Sequence, residues 1–207
     1  MTESSNAPLQ NETLASIEQR HSIRTFTEQP VPDGHIKAIL CAANQAPSAH
    51  NQQSWRFIVI RGDSKKELAK LVASRVTQLP RPASTLLRMS ALSIMSAPVV
   101  IAIVNTGDLI ARGRNLFKVE QDTSHDFFRT MEIQNSAAAV ENLLVAATSL
   151  GLATVWLGIL FLIKNDVLEF LGERKGEFMA VIPVGYAARP AAGPKKIPVE
   201  QLVKYLE

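Results

Sequence analysis

Arg20, Ser22 and Arg24 put two guanidiniums and a hydroxyl into one short stretch, Arg20-His21-Ser22-Ile23-Arg24. Alternate side chains of an extended chain share a face, so these three would point the same way. Guanidiniums grip phosphate or carboxylate through forked, bidentate hydrogen bonds. The stretch therefore reads either as a site for an anionic, polar ligand or as a solvated basic turn. A second stretch, Ser48-Ala49-His50-Asn51-Gln52-Gln53-Ser54, is small or polar at every position. It reads either as a plain connector or as the border of a ring with carbonyls and ring nitrogens, because its amides and hydroxyls both donate and accept.

Other chemistries lack their residues. His21, His35, His50 and His125 are not at metal-ligand spacing, and no cysteine or carboxylate cluster joins them. The chain has no G-x-S-x-G nucleophile elbow, no G-x-G-x-x-G after a strand and no G-x-x-x-x-G-K-[ST] phosphate loop. Glu132 and Glu141 fall on one predicted helix and read as surface or interface charges, not as a catalytic pair. Cys41 is the sole cysteine, so there is no internal disulfide. Its setting in IKAILCAAN predicts a buried, inert helix position. An enzyme built on this chain would take its chemistry from a cofactor.

The elements that would position these groups centre on His125 to Gly158. From His125 to Leu150 the chain is rich in Ala, Leu, Met, Glu and Gln and free of Gly and Pro, which predicts one long helix. Apolar residues fall on nearly every side from Ala137 to Leu150, as in a helix buried in a large core or against a second copy of itself. Gly151 stands where a helix ends with positive φ. LATVWLG then reads as a short buried strand ending at Leu157-Gly158. Asn142 to Ile163 carries no charge and is long enough to span a bilayer. The glycines at 151 and 158 and the Thr-Val-Trp segment between them favour a helix, a stop and a strand instead.

Before this centre, Asn11-Glu12-Thr13 begins a helix running to about Gln19. Asp33 is placed to cap a helix through HIKAILCAAN, which Ala46-Pro47 ends. Trp55 to Ile60 reads as a strand. Ser64 to Glu67 matches a capping box before a third helix, ELAKLVASRV. Pro80 and Pro82 mark a loop, and TLLRMSALSIMS a further helix. Val99 to Val104 is a continuous apolar run, hence a central strand. Residues 105–124 read as an irregular, charged insertion, a lid with a short helix. After the centre, Asn165 is placed to cap DVLEFLG, and FMAVIPVGY reads as a strand interrupted by Pro183. Residues 187–198 form a Pro- and Ala-rich arm, and VEQLVKYLE closes the chain as a short helix. The predicted domains are a disordered tail over 1–11 and a single domain over 12–207. The fold class is α+β, with a central mixed, mainly antiparallel sheet flanked by helices.

The 207 residues suffice for one domain with an ample core. A net charge of +3, with no long Lys/Arg block, argues against nucleic acid as a partner. The first ten residues are polar, with no secretory signal, and with the single cysteine this fits a cytoplasmic protein that does not enter a membrane.

Taken in order, Arg20 to Arg24, Ala46 to Trp55, Gly151 to Gly158, and Gly185-Tyr186 with Lys195-Lys196 downstream resemble the FMN-dependent nitroreductase family over roughly residues 12–205. The first two motifs are fairly specific and the others supportive. The resemblance implies that Arg20, His21, Ser22 and Arg24 meet the FMN phosphate, ribityl chain and pyrimidine edge. It implies that Pro47, Ser48, Ala49, Asn51 and Gln53 border the flavin, often from the second subunit. Leu157 and Gly158 would lay backbone amides along the ring, and Lys195 and Lys196 would complete the phosphate site. It further implies a homodimer around the long helix, with the C-terminal arm wrapping the partner. The activity implied is hydride transfer from NAD(P)H, through FMN, to a small aromatic or quinone-like acceptor in a ping-pong cycle. Alternatives within the same resemblance are dehalogenation, flavin breakdown, or a flavin-binding dimer without turnover. Three positions depart from the pattern: Ser54 replaces the usual Pro, Leu157 stands where some members have Glu, and Arg88 stands where some place polar flavin contacts.

Overall fold

Four strands form one sheet in the order β1-β2-β4-β3, where β1 is Trp55–Ile60, β2 Val99–Asn105, β3 Ala153–Thr154 and β4 Glu177–Gly185. The computed structural model describes residues 11–116, 120–189 and 191–206. Residues 1–10 of the expected 1–11 tail, 117–119 of the expected insertion, 190 of the expected arm and 207 of the expected closing helix lie outside the described residues. Every ladder is antiparallel, and the parallel element is an isolated bridge between Ser22 and Thr154.

β2 is buried at every position because both faces of the sheet are covered. Ile101, Ile103, Ala180 and Ile182 face one apolar cluster, filled by helices α2 (Asp33–Asn44) and α6 (Gln121–Ser149). Val100, Ala102, Val104 and Val181 face the other, filled by α3 (Gly62–Ser74), α4 (Ala83–Ser96) and α7 (Lys164–Phe170). Helix α1 (Glu12–Gln19) and helix α5 (Asp108–Leu116) pack against α6. Thus α+β layering holds, with α6 as the spine of one layer.

Several boundaries differ from expectation, each for a local reason. The predicted interruption at Pro183 does not occur: β4 runs through it, paired with Val100. Val181, two residues earlier on the same edge, turns its carbonyl to Leu157 N–H on the side away from β2. Pro183 therefore lacks its N–H on that outer side, where the β2 ladder does not need it. Asp33 lies in the first turn of α2 and makes no cap, since Pro32 precedes the helix. Ser64 and Asn165 are likewise inside α3 and α7 and cap neither. Asn11 does cap α1, its Oδ1 accepting from Leu14 N at 2.9 Å. The stretch 105–124 is largely helical: α5 folds back on α6, which begins at Gln121, ahead of the expected start. Residues 199–206 of the expected closing helix make one 3-10 turn, Val199–Gln201, and are otherwise irregular. No helix among the described residues is long and apolar enough to cross a membrane.

The face of α6 away from the sheet is not fully buried within one chain. Leu143, Leu144 and Ala147 are buried, Ala137, Ala138, Val145 and Ala146 are half-buried, and Glu141 and Ser149 are exposed. Cys41 is exposed, not buried. The core face of α2 is Ile36, Ile39 and Ala43, and a residue two steps from Ile39 lies about 200° around the helix from it.

Candidate functional site: a basic cleft beside the glycine stop of the long helix

Helix α1 ends at Gln19, and Arg20 already has extended dihedrals. From there the chain runs as a strip clamped on both sides. Ile23 N–H donates to Thr154 O at 2.9 Å, Ser93 Oγ donates to Arg24 O at 2.9 Å, and Phe26 bridges Ala187. Ile23 packs on the core while Ser22 and Arg24 remain exposed, the alternation expected of an extended strip. Arg20 and Ser22 line a cleft of about 210 Å³ with Glu141, Thr154 and Trp156. Arg24 lines an adjoining one of about 140 Å³ with Met89, Ser90, Leu157 and Gly158. Val155 and Trp156 are common to both. Arg20 Nε is 3.4 Å from Glu141 Oε1. The Arg24 guanidinium has no ion-pair or hydrogen-bond partner among the described residues. His21 holds Gln19 O through Nδ1 at 2.7 Å, and its Nε2 is buried without a partner.

The opposite wall comes from the end of α6. Gly151, at φ +71, lets the helix close with two carbonyls satisfied: Leu152 N–H donates to Ala147 O and Gly151 N–H to Thr148 O, both at 2.9 Å. The strand that follows is only Ala153–Thr154. Beyond it Leu157 N–H reaches Val181 O at 3.0 Å, and Gly158 opens a 3-10 segment through Ile163. The expected strand to Leu157 is therefore a short strand and a backbone bend. The Leu157 side chain is buried in the core, so this position offers the cleft backbone. A Cβ on Gly158 would meet nothing closer than the Trp156 ring at 4.0 Å, so its backbone stands open to a ligand.

Arg20, Ser22, Arg24, Leu157 and Gly158 are thus brought together, with His21 alongside. Pro47, Ser48, Ala49, Asn51 and Gln53 are not. Their loop is tied to α6 at Asn135, whose Oδ1 accepts from Ala49 N at 3.3 Å, whereas the cleft borders α6 at Glu141 and Leu144. From Asn135 to Leu144 a helix rises about 13 Å. Lys195 and Lys196 lie exposed on the arm, which passes His21 at Gly193, where a Cβ would come within 3.3 Å of the His21 Cβ. Arg88 is exposed and does not line the cleft; Leu86, Met89, Ser90 and Ser93 supply that wall of α4. A larger groove of about 750 Å³ lies between α2 and the outer edge of β1, away from Arg20 and Arg24.

Sequence reasoning missed a buried polar cluster at the other end of α6. Glu132, expected as a surface or interface charge, is fully buried within the chain, and Oε1 accepts from Leu109 N at 2.8 Å. Burial pushes its carboxyl above the ordinary 4.5, while the amides of Leu109 and Ile110, the Ser54 hydroxyl and the amide of Gly107 pull the other way. Ser136 Oγ donates to Asn105 Oδ1 beside it. The cluster explains Ser54 in place of proline: its side chain is buried facing Glu132. The available signal was a run of polar residues, Glu132, Asn135 and Ser136, on the helix face that also carries Ala139 and Leu143.

Known proteins resemble this chain in sequence and in fold. The nitroreductase family model matches residues 17–186. A protein of Archaeoglobus fulgidus provisionally named NADH dehydrogenase/NAD(P)H nitroreductase is 34% identical over 151 residues, covering 72% of this chain and 68% of its own. An FMN reductase (NAD(P)H) of Bacillus subtilis is 26% identical over 203 residues, covering 92% of this chain and 72% of its own. Among solved structures, a provisionally named nitroreductase in complex with FMN from Desulfovibrio desulfuricans superposes with a TM-score of 0.70 at 27% identity, covering 96% of this chain and 99% of that one. Since the family match runs from α1 to the end of the sheet and takes in the basic strip and its glycine-stopped wall alike, the chain belongs to the nitroreductase family.

Proposed function

We propose that this chain works as a cytoplasmic homodimer that passes a hydride from NAD(P)H through bound FMN to an electron-poor acceptor such as a nitroaromatic or a quinone. Family membership makes it an FMN-dependent NAD(P)H oxidoreductase. The observation that carries the cofactor assignment is the unpartnered Arg24 guanidinium in a cleft continuous with Arg20 and Ser22 and walled by the open Gly158 backbone. These residues fit FMN: cations for a phosphate, donors for a polar chain and exposed backbone for a ring edge. The buried, unpaired His21 Nε2 beside the strip is a further polar atom lacking a protein partner.

When bound, FMN supplies the centre that takes a hydride from NAD(P)H and yields it to the acceptor. This chain's residues bind and orient it. Arg20, Ser22 and His21, with Lys195 and Lys196 from the arm, hold the phosphate and ribityl chain. Arg24 favours negative charge at the pyrimidine edge. Leu157 and Gly158 line the ring with backbone, and Pro47, Ser48, Ala49, Asn51 and Gln53 complete the border from the second subunit. NAD(P)H and acceptor then use one open face in turn. The half-buried side of α6 and an arm bearing exposed Ile197, Val199, Leu202, Tyr205 and Leu206 support the dimer.

The test is direct. The purified protein should be yellow, or become so on reconstitution with FMN, should sediment as a dimer, and should oxidise NAD(P)H when menadione or nitrofurazone is added. A colourless protein that does not take up FMN would remove the cofactor assignment, and a monomer the dimer. A flavoprotein inert to both acceptors would point to the other flavin chemistries.

A further inference from the structure

We propose that Asn135 and Arg112 are positioning residues that hold the strained 49–53 loop in its flavin-bordering shape, with Glu132 anchoring the helix that carries Arg112. The proposal rests on the flavin reading above.

Among the described residues, the non-glycine residues with positive φ are His50 (+54), Asn51 (+52) and Gln53 (+49), all in this one loop. Left-handed backbone at such positions persists only where surrounding contacts impose it. Contacts inside the loop do part of this. Gln53 N–H donates to Ser48 Oγ at 3.1 Å, and Gln53 Nε2 to Asn51 Oδ1 at 2.9 Å. The external contacts come from α5, α6 and the β2–α5 turn. Asn135 Oδ1 takes the Ala49 amide on entry to the loop. Arg112 Nη1 donates to Gln52 Oε1 at 2.9 Å in its middle. Thr106 N–H donates to Ser54 O at 3.0 Å at its exit.

Helix α5 is fixed in turn from below. Glu132, one turn before Asn135 on α6, receives the Leu109 amide at the N-terminus of α5. A carboxyl group at that place satisfies helix-end donors that would otherwise be buried without a partner. Five of the buried polar atoms without a partner among the described residues belong to Ser54, Asn105, Ser124, Glu132 and Asn135, on the elements that meet here. The restraint comes from the contacts that are made there: Glu132 with the Leu109 amide, Ser136 with Asn105, and Asn135 with the Ala49 amide. The strain and its restraints thus coincide at the loop assigned to the flavin border.

FMN titration of the apoprotein, read by quenching of flavin fluorescence well below the melting temperature, tests this with Asn135→Ala, Asn135→Asp and the surface variant Arg112→Ala. Asn135→Ala should raise the FMN Kd about fivefold or more, the worth of one neutral hydrogen bond. Asn135→Asp keeps an acceptor for the Ala49 amide and should return the Kd to within about twofold of wild type. Arg112→Ala, which leaves the core intact, should raise it about twofold. A purely structural role would lower the apoprotein melting temperature and leave the Kd unchanged; that result for Asn135→Ala, or for Arg112→Ala if the former does not fold, overturns the proposal while the flavin reading stands. A wild-type protein that binds no FMN would overturn both.

Discussion

Replacing Glu132 by glutamine changes one atom of a fully buried side chain and removes its ability to ionise. Gln keeps an acceptor for Leu109 N–H, so the anchor of α5 survives. What changes is the pH dependence of stability. The folded carboxyl titrates above its ordinary 4.5 because burial disfavours the charged form, and no cation among the described residues pairs with it. Below 4.5 both folded and unfolded chains are protonated at Glu132, and the favourable contribution of this group is fully present. As pH rises the unfolded chain releases the proton first, and the contribution is lost up to and through the raised folded value. Within that window one proton limits the slope to about 1.4 kcal/mol per pH unit, equivalent to about 3–5 °C in melting temperature for a chain of this size. Glu132→Gln has no such loss. The melting temperature of the variant minus that of the wild type, measured by calorimetry from pH 4.5 to 8.5, should therefore rise with pH and level off once the folded carboxyl ionises. A flat difference would mean that Glu132 has the same pKa folded and unfolded. A falling one would mean that the α5 amides outweigh burial. Either refutes the reasoning.

Three further substitutions bear on the frame and the cleft. Gly151→Ala meets no atom within 4 Å but forces an alanine to φ +71; it should cost about 1 kcal/mol, and an unchanged melting temperature would remove the conformational role of this glycine. Ile182→Ala opens a cavity at a fully buried position opposite Ile101 and should cost about 2–5 kcal/mol in urea unfolding; a loss under about 1 kcal/mol would show the two-sided packing of β4 to be loose. Arg24→Ala should lower the reduction potential of bound flavin or weaken FMN binding, and no change in either would take Arg24 out of the pyrimidine site.

The motifs and main elements were legible because they depend on local chemistry. Arg20, Ser22 and Arg24 share one face of an extended strip by their period, Val99 to Val104 form a central strand by unbroken apolarity, and Gly151 stops a helix by the φ that only glycine adopts cheaply. What the sequence concealed depends on which face of an element meets which neighbour. Cys41 and Glu132 were both misplaced for this reason: composition favours a buried thiol and an exposed carboxylate. The rotation of α2 about Ile36, Ile39 and Ala43 turns Cys41 outward, and the α5 amides supply Glu132 with the donors that make burial tolerable. The polar and cationic groups the chain can offer a ligand were set by side-chain type alone. Only the tertiary structure decided their assembly, because the positive-φ loop, its anchor at Asn135 and the separation of that loop from the Arg20 cleft along α6 arise from contacts between residues distant in the chain.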